Sequence, residues 1–255
     1  MKIYTYYQDI SHSSQSKLID LWKISWTRRG YEPVVLNLED AKKNPYFETL
    51  NMEMRRIFKE ITNKQISDYG MSCWFRWLAY ATQQEEKFYV SDYDAININF
   101  PTTEPNDKLH LMDFDCPFLA SGTPSQFDKL CNSFVDISQT RMSVLKKHVN
   151  HYHDQEFFHY NFMVPRISKP DYDQYTNKYN ILLTRDRRKI GGSYDPVKNM
   201  VHAGPNIGYI ENDKYGVAHI SHYNIIDIQN KYSKYRKRDS NLLRIYLIEK
   251  LLETT

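Results

Sequence analysis

The feature that most constrains this chain is the strand, helix, strand order of its first segment. Lys2-Ile3-Tyr4-Thr5-Tyr6-Tyr7 reads as a strand. Residues 16–29 place Leu18, Leu21, Trp22, Ser25 and Trp26 at helical spacing, with Gly30 as the stop, and Val34-Val35-Leu36-Asn37-Leu38 reads as a second strand. Two strands joined by a helix and short turns lie parallel in one sheet. The expected fold class is therefore α/β.

The same reading extends down the chain. Asn44-Pro45 opens a helix to about Ile61, and a further helix over 69–83 carries Met71, Trp74, Phe75, Leu78 and Ala79 on its apolar face, with Arg76 off it. Phe88-Tyr89-Val90-Ser91 then runs straight into Asp92-Tyr93-Asp94 within the stretch 88–97. A buried strand ending in two carboxylates delivers them to the edge where open α/β sheets bind ligands. Carboxylates so close repel unless a cation lies between them, and hard oxygen ligands suit Mg²⁺ or Mn²⁺ carrying a phosphate. Arg76, on the preceding helix, has the planar fork that clamps a phosphate or orients a carboxylate.

The composition narrows the class further. An apolar content of 41% excludes a disordered chain, and no stretch approaches the ~20 apolar residues of a membrane-spanning helix. A soluble, cytoplasmic protein is expected, since Met1 to Tyr7 lacks the apolar core of a secretory signal. Cys73, Cys116 and Cys131 form no C-x-x-C pair and are expected as buried or free thiols. A net charge of +3 is too small to imply nucleic-acid binding, and nucleic acid is not expected as a partner. The 21 tyrosines supply flat amphipathic faces, mostly as half-buried strand residues.

Beyond a loop over 101–107, Leu109 to Asp115 repeats the apolar run ending in Asp-x-Asp, which makes Asp113 and Asp115 a rival pair. Pro117 to Gly122 reads as a strand, and residues 125–135 as a helix capped by Thr123 or Ser125. A helix over 143–159 carries His148, His151, His153 and His159 with Asp154 and Glu156, without the spacing of a zinc protease. Ile181-Leu182-Leu183 reads as a short strand, and the basic Arg185 to Ser193 segment as a loop able to close over an anion. Gly216 to His222 reads as a last strand whose His219 and His222 become metal-ligand candidates beside the carboxylates. The basic run 231–238 is a candidate for peripheral membrane contact, and a helix capped by Asp239 or Ser240 follows.

Taken in order, the first strand, Ser72-x-x-x-Arg76, Asp92-Tyr93-Asp94, Ala120-Ser121-Gly122, Asp154-Gln155 and the late Val217 to His222 segment make the chain resemble the nucleotide-sugar glycosyltransferases of the GT-A fold. The nearest flavour is that of small enzymes of capsular, lipopolysaccharide or large-virus glycan pathways. The resemblance implies a three-layer α/β/α sandwich with a mostly parallel, Rossmann-like central sheet. It implies one domain over 1–255, with a nucleotide-binding half (1–100), an acceptor and metal-completing half (101–225) and a basic segment with a C-terminal helix (226–255). By position it implies Mn²⁺ or Mg²⁺ held by Asp92 and Asp94 and completed by His219 or His222. Donor contacts fall on Thr5, Tyr6, Tyr7, Arg76 and Asp92, and the base of an inverting hexosyl transfer on Asp154 or Glu156. The implied partners are a UDP- or GDP-sugar donor and a glycan acceptor. Where related enzymes often carry Gly-Gly before Asp-x-Asp, this chain has Glu85-Glu86-Lys87. A metal-dependent phosphohydrolase and a non-catalytic module binding glycan or nucleic acid are the alternatives.

Overall fold

The computed structural model describes residues 1–10, 15–112, 117–137, 139–162, 181–183, 193–198, 200–202, 209–211, 216–236 and 239–254. Its main sheet is built from β1 (Lys2–Tyr6), β2 (Glu32–Leu36), β3 (Phe88–Ser91), β5 (Leu109–Leu111), β6 (Leu119–Gly122) and β7 (Ile181–Leu183), in the order β2-β1-β3-β6-β5-β7. β2, β1 and β3 pair in parallel, as do β5 and β7, and only β6 runs against the rest. The chain is a mixed α/β structure.

Strand alternation gives this sheet a core on each face. Tyr4, Tyr6, Phe88 and Val90 point into one cluster, packed against α2 (Leu38–Lys42), α3 (Phe47–Thr62), α4 (Asp68–Ala81), α5 (Pro124–Ser133), α6 (Gln139–His148) and α7 (Asp154–Phe162). Ile3, Tyr89 and Leu119 point the other way, onto α1 (Ser16–Thr27) and α9 (Ser240–Glu253). The first cluster centres on Trp74 and Trp77, which meet Phe134, Phe157 and Phe158 edge-on. Each fully buried ring contributes about 1.5–3 kcal/mol by burial. Asn63 ends α3 in the left-handed conformation. Gly30, just past α1, takes φ +80, a left-handed conformation that suits glycine, so the chain reverses into β2 there.

A second sheet covers part of the α1 face and was not anticipated. It orders β10 (Tyr209–Glu211), β9 (Met200–His202), β8 (Ser193–Asp195), β11 (Val217–His219) and β4 (Ala95–Asn97). Three-residue strands carry no usable period, which is why this region read as irregular. β3 ends at Ser91, as the apolar run into the two carboxylates implied, and a turn follows in which the Ala95 N–H donates to the Asp92 carbonyl at 3.0 Å before β4 begins. The chain thereby passes from one sheet to the other at the two carboxylates.

Other expected boundaries shift for identifiable reasons. The second strand stops at Leu36 because Asn37 and Asp40 form a capping box that starts α2. The single helix expected over 143–159 is two: α6 ends at His148, and the His153 N–H donates to Glu156 Oε2 at 3.1 Å where α7 begins. The last strand stops at His219, since the Ser221 hydroxyl accepts from the Asn224 N–H and starts α8 (His222–Lys231). Asp239, the expected cap of α9, accepts from the Asn241 and Leu242 N–H groups. Within the basic run, Lys231 Nζ lies 3.0 Å from Asp195 Oδ2 and Lys234 sits over the Tyr235 ring, while Lys237 and Arg238 lie outside the described residues. Among the described residues, no helix is long and apolar enough to cross a membrane.

Candidate functional site

The site forms where β3 leaves the main sheet. The Asp92 N–H donates to the Phe118 carbonyl at 2.9 Å and the Ile220 N–H donates to the Asp94 carbonyl at 3.0 Å, so both sides of the turn are pinned. Below it, Trp22 Nε1 donates to Ser91 Oγ at 2.9 Å and Trp26 Nε1 to the Ala95 carbonyl at 3.0 Å. Two indoles from α1 thus fix the strand ends that aim the carboxylates.

The antiparallel pairing of β4 with β11 sets His219 opposite Ala95. That register carries the imidazole to the turn: His219 Nε2 lies 3.3 Å from Asp94 Oδ1 and 3.8 Å from Asp92 Oδ2. The ring is held by Phe118, stacked at 4.6 Å between centroids and 17° between planes. Asp92, Asp94 and His219 offer ligand atoms within 4.8 Å of one another. Metal ligands at ~2.1 Å from a six-coordinate ion lie about 3 Å apart at right angles and about 4 Å apart when opposed. Two carboxylates and one imidazole suit Mn²⁺, and Mg²⁺ less well because of the nitrogen.

The electrostatics split the carboxylate pair. Burial pushes the Asp92 carboxyl up, Arg76 pulls it down and Asp94 pushes it up again, leaving it above the usual carboxylate range. Burial also acts on Asp94, only 8% exposed, but His219 and Arg244 pull its carboxyl below that range. One member of the pair therefore carries charge more readily than its neighbour.

Arg76, on the face of α4 that meets the sheet, bridges two acids. Its Nη1 bonds Asp92 Oδ1, while its Nε and Nη2 donate to Asp154 Oδ2 at 2.9 and 2.6 Å. Trp77 Nε1 donates to that same oxygen at 2.7 Å. Burial works against the guanidinium's charge, and Asp154 and Asp92 hold it protonated. α4 is set in place by its Ser67 cap and by a close approach at Gly70, where a Cβ would lie 2.7 Å from Ile66 Cγ1.

The sequence-based candidates separate. Asp92, Asp94, His219 and Arg76 converge. Asp154, expected as the base, is 2% exposed and its Oδ2 accepts three hydrogen bonds, so it faces Arg76 and Trp77 in the interior. His222 opens α8, and its side chain lies outside the described residues, as do Asp113, Asp115, Cys116 and the Arg185 to Gly192 part of the basic loop. Tyr6 turns into the helical core, its hydroxyl donating to Gln8 Oε1 at 2.9 Å. Thr5 is fully buried with its Oγ1 unbonded, and Tyr7 meets Tyr93 edge-on at 5.7 Å, which places the end of β1 beside the carboxylate turn. Cys73 and Cys131 are free thiols, the latter buried.

Sequence reasoning missed Arg244. From α9 its Nη1 comes within 3.9 Å of Asp94 Oδ2, it is 5% exposed, and its Nε is buried without a hydrogen-bond partner. The available signal was an arginine three and four residues before Leu247 and Ile248, on the apolar face of the helix.

No family model and no curated protein matches the chain.

Proposed function

We propose that this chain is a metal-dependent glycosyltransferase of the GT-A kind, moving a sugar from a nucleoside diphosphate donor to a hydroxyl acceptor such as a glycan. The observation that carries the reading is the convergence of Asp92, Asp94 and His219 at the edge of the parallel strands, with Arg76 and Arg244 beside them. The reversal of β6 among otherwise co-directional strands, and helices packed on both faces of that sheet, support the fold part.

In this reading Asp92, Asp94 and His219 hold Mn²⁺ or Mg²⁺. The bound ion supplies the positive charge that stabilises the departing diphosphate. Arg76 pairs with Asp92 and aims it, and Asp154 acts as a positioning residue that orients Arg76 from behind. Arg244 supplies a second, partly unsatisfied cation next to Asp94, suited to an anionic donor. Tyr7 and Tyr93 form an aromatic edge next to the metal ligands, where a nucleotide base can stack.

A thermal-shift panel tests this with UDP-, GDP-, dTDP- and CMP-sugars, each with and without Mn²⁺. Stabilisation with one nucleotide class, only in the presence of metal and lost in Asp94→Ala, is the expected result; about 2.7 kcal/mol accompanies a ligand at 100 times its Kd. Nucleotide binding that ignores the metal and survives Asp94→Ala would instead favour the non-catalytic module. Release of inorganic phosphate without sugar transfer would favour the phosphohydrolase.

A further inference from the structure

A second set of metal-ligating side chains lies on the other side of Asp154, where α6 gives way to α7. His151 Nε2 is 2.9 Å from Glu156 Oε1, and His153 Nδ1 is 2.9 Å from Glu156 Oε2. The two imidazoles stand 5.1 Å apart between centroids, tilted by 45°, and the three ligand atoms fall within 4.8 Å of one another. None of the three belongs to the Asp92, Asp94 and His219 set. The cluster opens on a cleft of about 320 Å³ that His148 and His159 also line.

We propose that His151, His153 and Glu156 bind a borderline divalent ion of the Zn²⁺ type, which fastens the 149–153 turn. Two imidazole nitrogens with one carboxylate favour such an ion over Mg²⁺ or Ca²⁺, which take oxygen. Three protein ligands leave a fourth tetrahedral position for water, and the exposure of His151 admits it. Neighbouring ligands ~2.1 Å from a tetrahedral ion lie about 3.4 Å apart, and the one ligand atom that each of the three residues offers lies within 4.8 Å of the others.

A second observation points to a ligand. His153 Nδ1 is buried and makes no aligned hydrogen bond, although Glu156 Oε2 is only 2.9 Å away. The ion would also act at a distance: Asp154 follows His153 directly, and it holds Arg76, which holds Asp92. The proposal stands independently of the glycosyltransferase reading.

Co²⁺ is the probe, since its visible absorption reports four-coordinate binding, with Zn²⁺ as competitor. The full chain is titrated alongside His151→Gln, Glu156→Gln and Asp94→Ala. The wild type and Asp94→Ala are expected to show the four-coordinate signal and to lose it to Zn²⁺. In His151→Gln and Glu156→Gln, affinity is expected to fall by more than the ~10–100-fold that loss of an outer partner causes. His151 is exposed, so His151→Gln should unfold in chelator at the same midpoint as the wild type, and Zn²⁺ should raise the midpoint of the wild type and of Asp94→Ala but not that of His151→Gln. A wild type that binds Co²⁺ no better than His151→Gln, or a signal that survives both ligand variants, overturns the proposal. Loss of the signal in Asp94→Ala alone would move the ion to the other site and overturn it equally.

Discussion

Replacing Asp154 separates its two conceivable roles, buried anchor or catalytic base. Its Oδ2 accepts from Trp77 Nε1, Arg76 Nε and Arg76 Nη2. Asp154→Ala leaves the indole N–H buried without a partner, at a cost of about 1–3 kcal/mol. It also leaves Arg76 with Asp92 alone, and breaking a buried ion pair from one side costs about 3–5 kcal/mol when no partner remains. Because Asp92 stays bonded to Nη1, the combined effect is expected at roughly 3–5 kcal/mol, a fall in Tm of about 6–20 °C for a chain of this size. Asp154→Asn keeps one carbonyl oxygen as acceptor and is expected to lose about 1–2 kcal/mol. Urea unfolding followed by tryptophan fluorescence reads both values, since Trp77 reports on the contact. Asp154→Ala within about 1 kcal/mol of the wild type would refute the anchoring argument, and full stability with abolished transfer would return Asp154 to the role of base.

Acid should weaken the contact between β8 and α8. Burial pushes the Asp195 carboxyl up, but hydrogen bonds from Tyr232 and Lys231 bring it from 3.8 down to about 2. This stabilisation is complete above pH 3.8 and is lost as pH falls towards 2; it amounts to roughly 1–2 kcal/mol after screening, and Asp195→Asn should flatten that part of the acid-unfolding curve. Arg244→Met removes the buried cation beside Asp94, so it should lower the urea midpoint and weaken binding of the anionic nucleotide at least tenfold by calorimetry; unchanged nucleotide affinity in the folded variant would remove Arg244 from the site. Gly30→Ala forces a side chain into φ +80 and should cost about 1–2 kcal/mol in equilibrium unfolding.

The parts of the fold legible in the sequence were those with a long period. β1, α1, α3 and α4 carry runs whose spacing admits one reading, and β3 announces itself by an apolar run that ends in charge. The carboxylate pair was visible because its chemistry is local. What escaped depends on distant pairing: His219 was already a candidate ligand, but the register of β11 on β4 that carries it to Asp94 was not legible. Strands of three residues leave no pattern from which to infer that register. Arg244 escaped because a lone charge in an apolar helix face resembles a solvated one until the neighbouring elements are in place. The break between α6 and α7 escaped because it rests on Glu156 reaching back to His153, a contact that polar composition alone does not distinguish from a continuous helix.

The turn at Asp92 to Asp94 is also the junction at which the chain changes sheets, and His219 arrives from the last segment of the second sheet. A ribosome that has released the chain only as far as β4 has therefore made two of the three candidate ligands, Asp92 and Asp94, and lacks His219. During synthesis, the early chain has no complete claw with which to capture stray ions. On the proposed reading, competence arrives abruptly, when β11 pairs with β4 from far along the chain.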